Sequence, residues 1–205
     1  MNGPAVMRRS AKTENAARRL RGARLAVVLL LAASSHAAAA SSYYLSPTGR
    51  DSAGGRTPPT AWKTFNKAFS RMRAGDELIL LPGNYGEAAG TGYISDTGRH
   101  SALVPSGRPT AATIVRAQNP GTVRVIGALL VGRSDRKDSH IRISGITFEG
   151  GGGLYNTRHV TIEHCGFHSA GNTGGAVFAI GTNDHAEGNS DNLIEDVWIW
   201  GSERI

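Results

Sequence analysis

The residues best suited to chemistry lie towards the C-terminal end of the chain, where acidic and histidine side chains recur. Glu163 and His164 are neighbours in sequence, and Glu195 and Asp196 form a second pair further along the chain. If the fold brings the two pairs together, Glu163, Glu195 and Asp196 form an acidic cluster whose oxygen atoms are the ligands that Ca²⁺ prefers. The open alternative is a set of solvated carboxylates at a turn.

His164 has two chemical uses at that position. It can pair with Asp196, or it can serve as a general acid–base group, because an imidazole exchanges protons near neutral pH. His168 follows four residues later. On a helix that spacing makes a chelating pair, but on a strand it spans about 13 Å, so one metal ion cannot bridge the two rings. An ordinary surface histidine is the open alternative.

Two tryptophans and a polar segment are suited to binding a saccharide. Trp198 and Trp200 alternate with Val197 and Ile199, so both indoles should face outward, where aromatic rings can stack on sugar rings. The segment 181–192 is dense in polar residues, and those proposed to line a saccharide groove are Asn183, Asp184, His185 and Glu187. The open alternatives are indoles that pack beneath a further region and a segment that is only a soluble insertion.

A repeat in the apolar residues indicates what positions these side chains. The segments 141–148 and 160–167 share one pattern, offset by 19 residues, in which apolar residues alternate, slip by one position and alternate again. The pattern returns at 194–199, after a longer interval. A solenoid explains such repetition, because layers stack and equivalent positions face inward. We therefore predict a coil of parallel strands with a bend at each slip.

Stacked strands lie about 4.8 Å apart, so residues at equivalent positions become neighbours in outward columns. The two offsets predict three columns: Ser144, Glu163 and Glu195; Gly145, His164 and Asp196; Glu149, His168 and Trp200. Cys165 is the one cysteine of the chain and falls on an inward position, so we expect a small buried residue rather than a catalytic thiol. The run Gly150–Gly153 has no helix after it and is predicted to be a turn.

One helix is predicted before the strands begin. Its apolar residues follow the i, i+3, i+4, i+7 spacing of an amphipathic helix: Phe65, Ala68, Phe69 and Met72. Thr64 can cap its N-terminus, and Gly75 is a typical stop. From Glu77 onward, short runs rich in Val and Ile predict strands. A helix over the first layer would cover its apolar interior and its unpaired strand edges.

The first 40 residues are typical of a secretory leader. They hold seven of the 23 Lys and Arg residues and one of the 16 acidic residues, so the remaining chain has a net charge of about +1. Nucleic-acid binding therefore loses its main support. A basic stretch, a short apolar run over 25–33 and small residues predict a signal peptide cleaved after Ala40. We expect a secreted protein, extracellular or periplasmic, without stable membrane insertion; an uncleaved anchor is the open alternative.

Three motifs in the N-terminal third resemble those of a known superfamily. They are S-P-x-G-x-D at 46–51, T-x-x-x-A at 64–68 and G-D-x-x-x-x-x-P-G-x-Y at 75–85. In this order they resemble the N-terminal segment of secreted right-handed parallel β-helix proteins of the pectate-lyase-like superfamily, and the resemblance covers roughly 43–205. It implies an all-β right-handed parallel β-helix, a solenoid, with an N-terminal amphipathic capping helix. The predicted regions are the leader (1–40), the N-terminal strand, loop and capping helix (41–76) and the β-helix layers (77–205), truncated at the C-terminus.

The resemblance also implies what such a protein acts on. Lyases of the superfamily cleave acidic glycans, often with Ca²⁺ neutralising the sugar carboxylate while a basic residue removes the neighbouring proton and β-elimination follows. The basic residues that suit this role by type are Arg158, Lys137 and Arg204, and Arg204 lies closest to the acidic turn. We therefore expect a monomeric polysaccharide lyase that uses His164, Arg204 and Ca²⁺, with glycoside hydrolysis less favoured. A non-catalytic carbohydrate-binding, adhesin or structural β-helix protein is the open alternative.

Overall fold

The computed structural model describes residues 39–132, 137–169, 176–181 and 188–201. Residues 1–38 lie outside these ranges, so the signal peptide stays a prediction. Within the described ranges, no helix is long and apolar enough to cross a membrane.

Short strands separated by turns make up most of the described chain. In chain order they are β1 (Ser42–Leu45), β2 (Glu77–Leu80), β3 (Gly83–Gly86), β4 (Thr113–Ala117), β5 (Val123–Ile126), β6 (Leu129–Val131), β7 (Asp138–Ser144), β8 (Ile146–Phe148), β9 (Gly152–Tyr155), β10 (Thr157–Glu163), β11 (Gly166–His168), β12 (Phe178–Gly181), β13 (Leu193–Glu195) and β14 (Trp198–Trp200). A 3₁₀ turn (Pro58–Thr60) and the helix α1 (Phe65–Arg71) lie between β1 and β2.

These strands form three sheets whose strand pairings are parallel. The first sheet has the order β1-β2-β4-β7-β10-β13, the second β14-β11-β8-β5-β3 and the third β12-β9-β6. From β4 onward the chain visits the sheets in rotation, so β4, β5 and β6 are followed by β7, β8 and β9 and then by β10, β11 and β12. Each such passage is called a layer below. The predicted all-β parallel architecture is confirmed.

The predicted offsets between repeats are the register between layers. Ile162 pairs with Ile143 on one side and with Ile194 on the other, and Phe167 pairs with Phe148. The rings of Phe148 and Phe167 stack 5.4 Å apart, and both side chains are fully buried. Side chains at equivalent positions of successive layers therefore pack into one continuous apolar core. This packing explains why the sequence repeats its apolar pattern.

The predicted bends coincide with residues in the left-handed backbone region. Gly145, His164 and Asp196 have φ values of 73°, 53° and 51°, and each directly follows the last residue of a first-sheet strand. Glycine adopts this region freely, and His and Asp occupy it more often than most residues do. One left-handed residue turns the chain towards the second sheet and shifts the inward alternation by one position. That shift is the slip in the sequence pattern.

The glycine run at 150–153 is only in part the turn that the sequence predicts. β9 begins at Gly152 and pairs with β6 and β12. A Cβ atom at Gly152 would lie 2.7 Å from a ring carbon of Phe167. The prediction was wrong there because glycine disfavours strands in isolation, whereas here two neighbouring strands supply the pairing and a core ring needs the space.

The N-terminus of α1 is capped as predicted. The Thr64 hydroxyl accepts a hydrogen bond from the Lys67 N–H at 3.1 Å. Asp51 in turn accepts from the Thr64 hydroxyl at 2.7 Å and from the Thr64 N–H at 3.0 Å, which ties the preceding loop to the helix. The buried face of α1 consists of Phe65, Ala68 and Phe69.

The C-terminus of α1 differs from the prediction. The helix ends at Arg71, and Met72 is already extended with φ −69° and ψ 150°, whereas the sequence places the stop at Gly75. The Arg73 N–H, which a longer helix would use internally, donates to the Asp76 carboxylate at 2.7 Å. This side-chain acceptor competes with the helical hydrogen bond and stops the helix early.

The insertion at 87–112, between β3 and β4, adds to the core in a way that no periodic pattern predicts. Its residues Ile94 and Val104 are buried. The Leu130 N–H donates to the Ile94 carbonyl at 2.8 Å, so the insertion covers an edge of the third sheet beside β6.

Phe167→Ala is expected to lower the free energy of unfolding by about 3–5 kcal/mol, because a large ring packed between Phe148 and Phe178 leaves a cavity. Urea unfolding followed by circular dichroism measures the loss. Ile126→Ala is the matched control, since that side chain is 50% exposed on the same sheet, and its effect should stay within about 0.5 kcal/mol. Equal losses in the two variants would contradict the shared core.

Candidate functional site

The outer face of the second sheet carries a pocket of 380 Å³, within the range of about 300–1,000 Å³ that is typical of ligand pockets. It is lined by Trp198 and Trp200 of β14, Gly166 of β11, Thr147 of β8, the bend residues Gly145 and His164, and the turn at Pro120. Three residues predicted from the sequence to carry function, His164, Trp198 and Trp200, therefore share one pocket. The histidine and the tryptophans come from successive layers, and only the register brings them together.

Both tryptophans face outward, as predicted. Ile199 between them pairs with the core residue Phe167, so its neighbours point to the opposite side of the sheet. Trp198 is 60% exposed and Trp200 is 42% exposed. Two large apolar rings on one short strand leave a contiguous surface that water solvates poorly.

A glycine beneath the tryptophans shapes the pocket. Gly166 pairs with Trp198 on one side and with Thr147 on the other. A Cβ atom at Gly166 would lie 3.0 Å from Cη2 and Cζ3 of Trp200. The missing side chain therefore lets the Trp200 ring lie close to the backbone of β11, and any larger residue would push the ring into the pocket.

His164 and Asp196 stack at consecutive bends, as predicted. His164 Nε2 lies 3.3 Å from Asp196 Oδ2, and both side chains are 55% exposed. At that exposure the pair adds little to stability, because solvent screens it. The pair instead orients the imidazole. The Asp196 carboxylate beside one ring nitrogen holds the ring at the edge of the pocket, where an imidazole can exchange a proton.

The predicted acidic cluster is assembled in part. Glu163 and Glu195 pair in register, but Arg142 Nη1 lies 3.5 Å from Glu163 Oε1, and Asp196 turns towards His164. In the described part of the chain, no group of three or more His, Cys, Asp or Glu side chains is placed to hold a metal ion. As described, these carboxylates do not form an oxygen cage, and the Ca²⁺ site stays a prediction.

The third predicted column is a hydrogen-bonded chain of side chains. His168 Nδ1 lies 2.6 Å from Glu149 Oε2, and Arg124 donates to Glu149 Oε1 through Nη2 at 2.5 Å and Nε at 3.0 Å. The His168 ring stacks on Trp200 with a centroid distance of 5.3 Å. Sequence reasoning missed Arg124, because the layer that contains it fits the repeat less well and its in-register partner is Thr147, two residues before Glu149.

The pKa of Glu149 is lowered in this environment. Burial by itself would raise it, but hydrogen bonds from His168 and Arg124, together with their positive charge, outweigh burial. Cys165 behaves oppositely: burial raises the pKa of its thiol to about 11. A thiol held neutral and enclosed in the core is not an available nucleophile, in agreement with the structural role predicted for it.

Of the remaining sequence-predicted residues, Arg158 and Lys137 are described, and neither lines the pocket; Lys137 directly precedes β7. Arg158 lies near the start of β10 and pairs with Ser139, five residues before Glu163, which is about 16 Å along a strand. The others lie outside the described residues and stay predictions: Asn183, Asp184, His185, Glu187 and Arg204.

Comparisons with protein-family models, with curated proteins and with solved structures find no match to this chain. The fold and the pocket define an all-β parallel protein with an aromatic, glycine-floored pocket on one outer face. Because a fold alone does not define a function, the pocket is the feature that indicates one.

Glu149→Gln tests the pairing of Glu149 with Arg124 and His168 through pH. The lowered pKa means that the charged carboxylate stabilises the fold above its ordinary value of 4.5, and that this contribution is lost as pH falls through the lower folded-state pKa. At pH 7 the variant should unfold with about 1.5–3 kcal/mol less free energy, and the difference should shrink below pH 4. Urea unfolding of the wild type and the variant, at pH 7 and below pH 4, measures this difference in free energy. A difference that is the same at the two pH values would contradict the pairing of Glu149 with Arg124 and His168.

Proposed function

We propose that this protein is a secreted right-handed parallel β-helix protein that binds a polysaccharide in the pocket beneath Trp198 and Trp200. Three observations support the β-helix: the sheets are parallel, the chain visits them in rotation, and an amphipathic helix precedes the layers. The N-terminal motifs that resemble the pectate-lyase-like superfamily support its right-handed form. The basic and apolar leader supports secretion.

The observation that carries the proposal is the pair of half-exposed indoles over a glycine. Adjacent exposed indoles form a contiguous apolar patch, and such patches commonly mark binding sites. A sugar ring suits this pocket because it has a flat C–H face and a rim of hydroxyl groups. The C–H face can lie on the indoles, and Thr147 and His164, which line the pocket, offer hydrogen bonds to the rim.

The paired tryptophans give the direct test of binding. Trp198→Ala and Trp200→Ala should each weaken binding about thirtyfold, since truncating a central aromatic anchor costs about 2 kcal/mol. Isothermal titration calorimetry against pectate, alginate, chondroitin and a neutral glucan measures the affinity. Leu193→Ala is the matched control, because it removes a side chain that is 48% exposed on β13 of the first sheet and does not line the pocket. Unchanged affinity in both tryptophan variants sinks the proposal.

A second candidate function, lyase activity on an acidic glycan, is favoured by the oriented His164. The imidazole would remove the proton on the carbon next to the sugar carboxylate. The electron pair left behind becomes a C=C bond as the bond to the leaving glycosidic oxygen breaks, and that oxygen takes a proton from water. The residues that position the reaction are His164 and its partner Asp196. The described carboxylates do not form a cage for Ca²⁺.

Absorbance of the new C=C bond tests the lyase. If His164 is the base, His164→Ala should slow the reaction about 10²- to 10⁴-fold while pectate still binds. His159→Ala is the matched control, since His159 is also an exposed histidine with a left-handed backbone, φ 53°, and does not line the pocket. Adding EDTA tests the predicted Ca²⁺ separately. No absorbance change on any acidic glycan, with binding intact, would leave a binding protein and exclude the lyase.

A further inference from the structure

The Trp200 ring is backed by one side chain of the preceding layer. His168 is its in-register partner, and the two rings stack at 5.3 Å with an interplanar angle of 20°. Gly201 allows this contact, because a Cβ atom there would clash with a ring carbon of His168. His168 is only 25% exposed, because its imidazole lies between the Trp200 indole and Gly201.

The His168 ring is fixed in turn by a carboxylate. Its Nδ1 lies 2.6 Å from Glu149 Oε2, and since a carboxylate only accepts hydrogen bonds, Nδ1 carries the proton and donates it. This bond sets the rotation of the imidazole about its side-chain bonds. The plane that the ring presents to Trp200 is thereby set as well.

Arg124 donates hydrogen bonds to the other oxygen of the Glu149 carboxylate. Its Nη2 and Nε both reach Glu149 Oε1, at 2.5 and 3.0 Å, while Oε2 serves His168. Glu149 is 14% exposed, so it cannot rotate into water without abandoning two charged or polar donors. Four side chains from four consecutive layers thus form a single ordered chain that ends at the pocket: Arg124, Glu149, His168 and Trp200.

We propose that His168 is a positioning residue for Trp200, and that Glu149 and Arg124 hold His168 in place from the layers behind it. The site then depends on residues that touch no ligand. Its consequence for affinity rests on the proposed saccharide function, but the positioning itself does not.

Fluorine NMR tests the positioning without any ligand. The chain has three tryptophans, so protein labelled with 5-fluorotryptophan gives one resonance each for Trp62, Trp198 and Trp200, assigned by Trp198→Phe and Trp200→Phe. His168→Ala should move the Trp200 resonance and leave that of the core residue Trp62 in place. Glu149→Gln should also move it. Glu77→Gln is the matched control, because Glu77 forms a similar ion pair, 2.6 Å from Arg116, on the first sheet.

Binding measurements add the functional consequence. His168→Ala should weaken saccharide binding about threefold to tenfold, the equivalent of one aromatic contact, and His168→Phe, which keeps a stacked ring, should restore affinity to within about twofold. Circular dichroism confirms folding; if His168→Ala fails to fold, His168→Phe and Glu149→Gln decide the matter. If the Trp200 resonance keeps its chemical shift in both His168→Ala and Glu149→Gln, the proposal is overturned. If Trp198→Ala and Trp200→Ala both leave binding unchanged, the saccharide function fails, and the resonance still decides the positioning.

Discussion

The structure depends on one constraint: each layer must sit on the last in parallel register. A slip of one residue would turn every inward side chain outward, so the bends have to fall at the same position in each layer. Gly145, His164 and Asp196 satisfy this with one left-handed residue apiece. For His and Asp that conformation costs about 1 kcal/mol or more, and it persists because the strand hydrogen bonds and the stacked core on either side fix it.

The same register arranges the outer surface into columns. A residue meets its equivalents in the next layers about 4.8 Å away, so groups far apart in sequence become partners, as His164 and Asp196 do at 3.3 Å. The pocket is therefore a product of the core: Ile199 and Phe167 pair inside, and Trp198 and Gly166 pair outside as a result. Most exposed ion pairs of this kind add little to stability. Glu149 differs, because its side chain is only 14% exposed and it accepts hydrogen bonds from two residues.

Sequence reasoning succeeded where the repeat was regular. The columns through Glu163 and His168, the outward tryptophans and the Thr64 cap all followed from period and residue type. It failed where tertiary contacts override local preference. Gly152 joins a strand because a core ring needs its space, and α1 stops at Arg71 because the Asp76 carboxylate accepts the Arg73 N–H. Two features follow from no clear repeat in the sequence and were not predicted: the packing of the 87–112 insertion and the role of Arg124.

Disulfide trapping measures the register most directly. Thr161 and Leu193 are in-register partners, with Cα atoms one strand spacing apart, a separation of about 4.8 Å that a disulfide can span. Thr161 and Glu195 are offset by two residues, at roughly 8 Å, which it cannot. The native Cys165 is buried and its thiol is held neutral, so it interferes little. The account predicts that cysteines at 161 and 193 cross-link on mild oxidation and that cysteines at 161 and 195 do not; cross-linking of the offset pair in preference would contradict it.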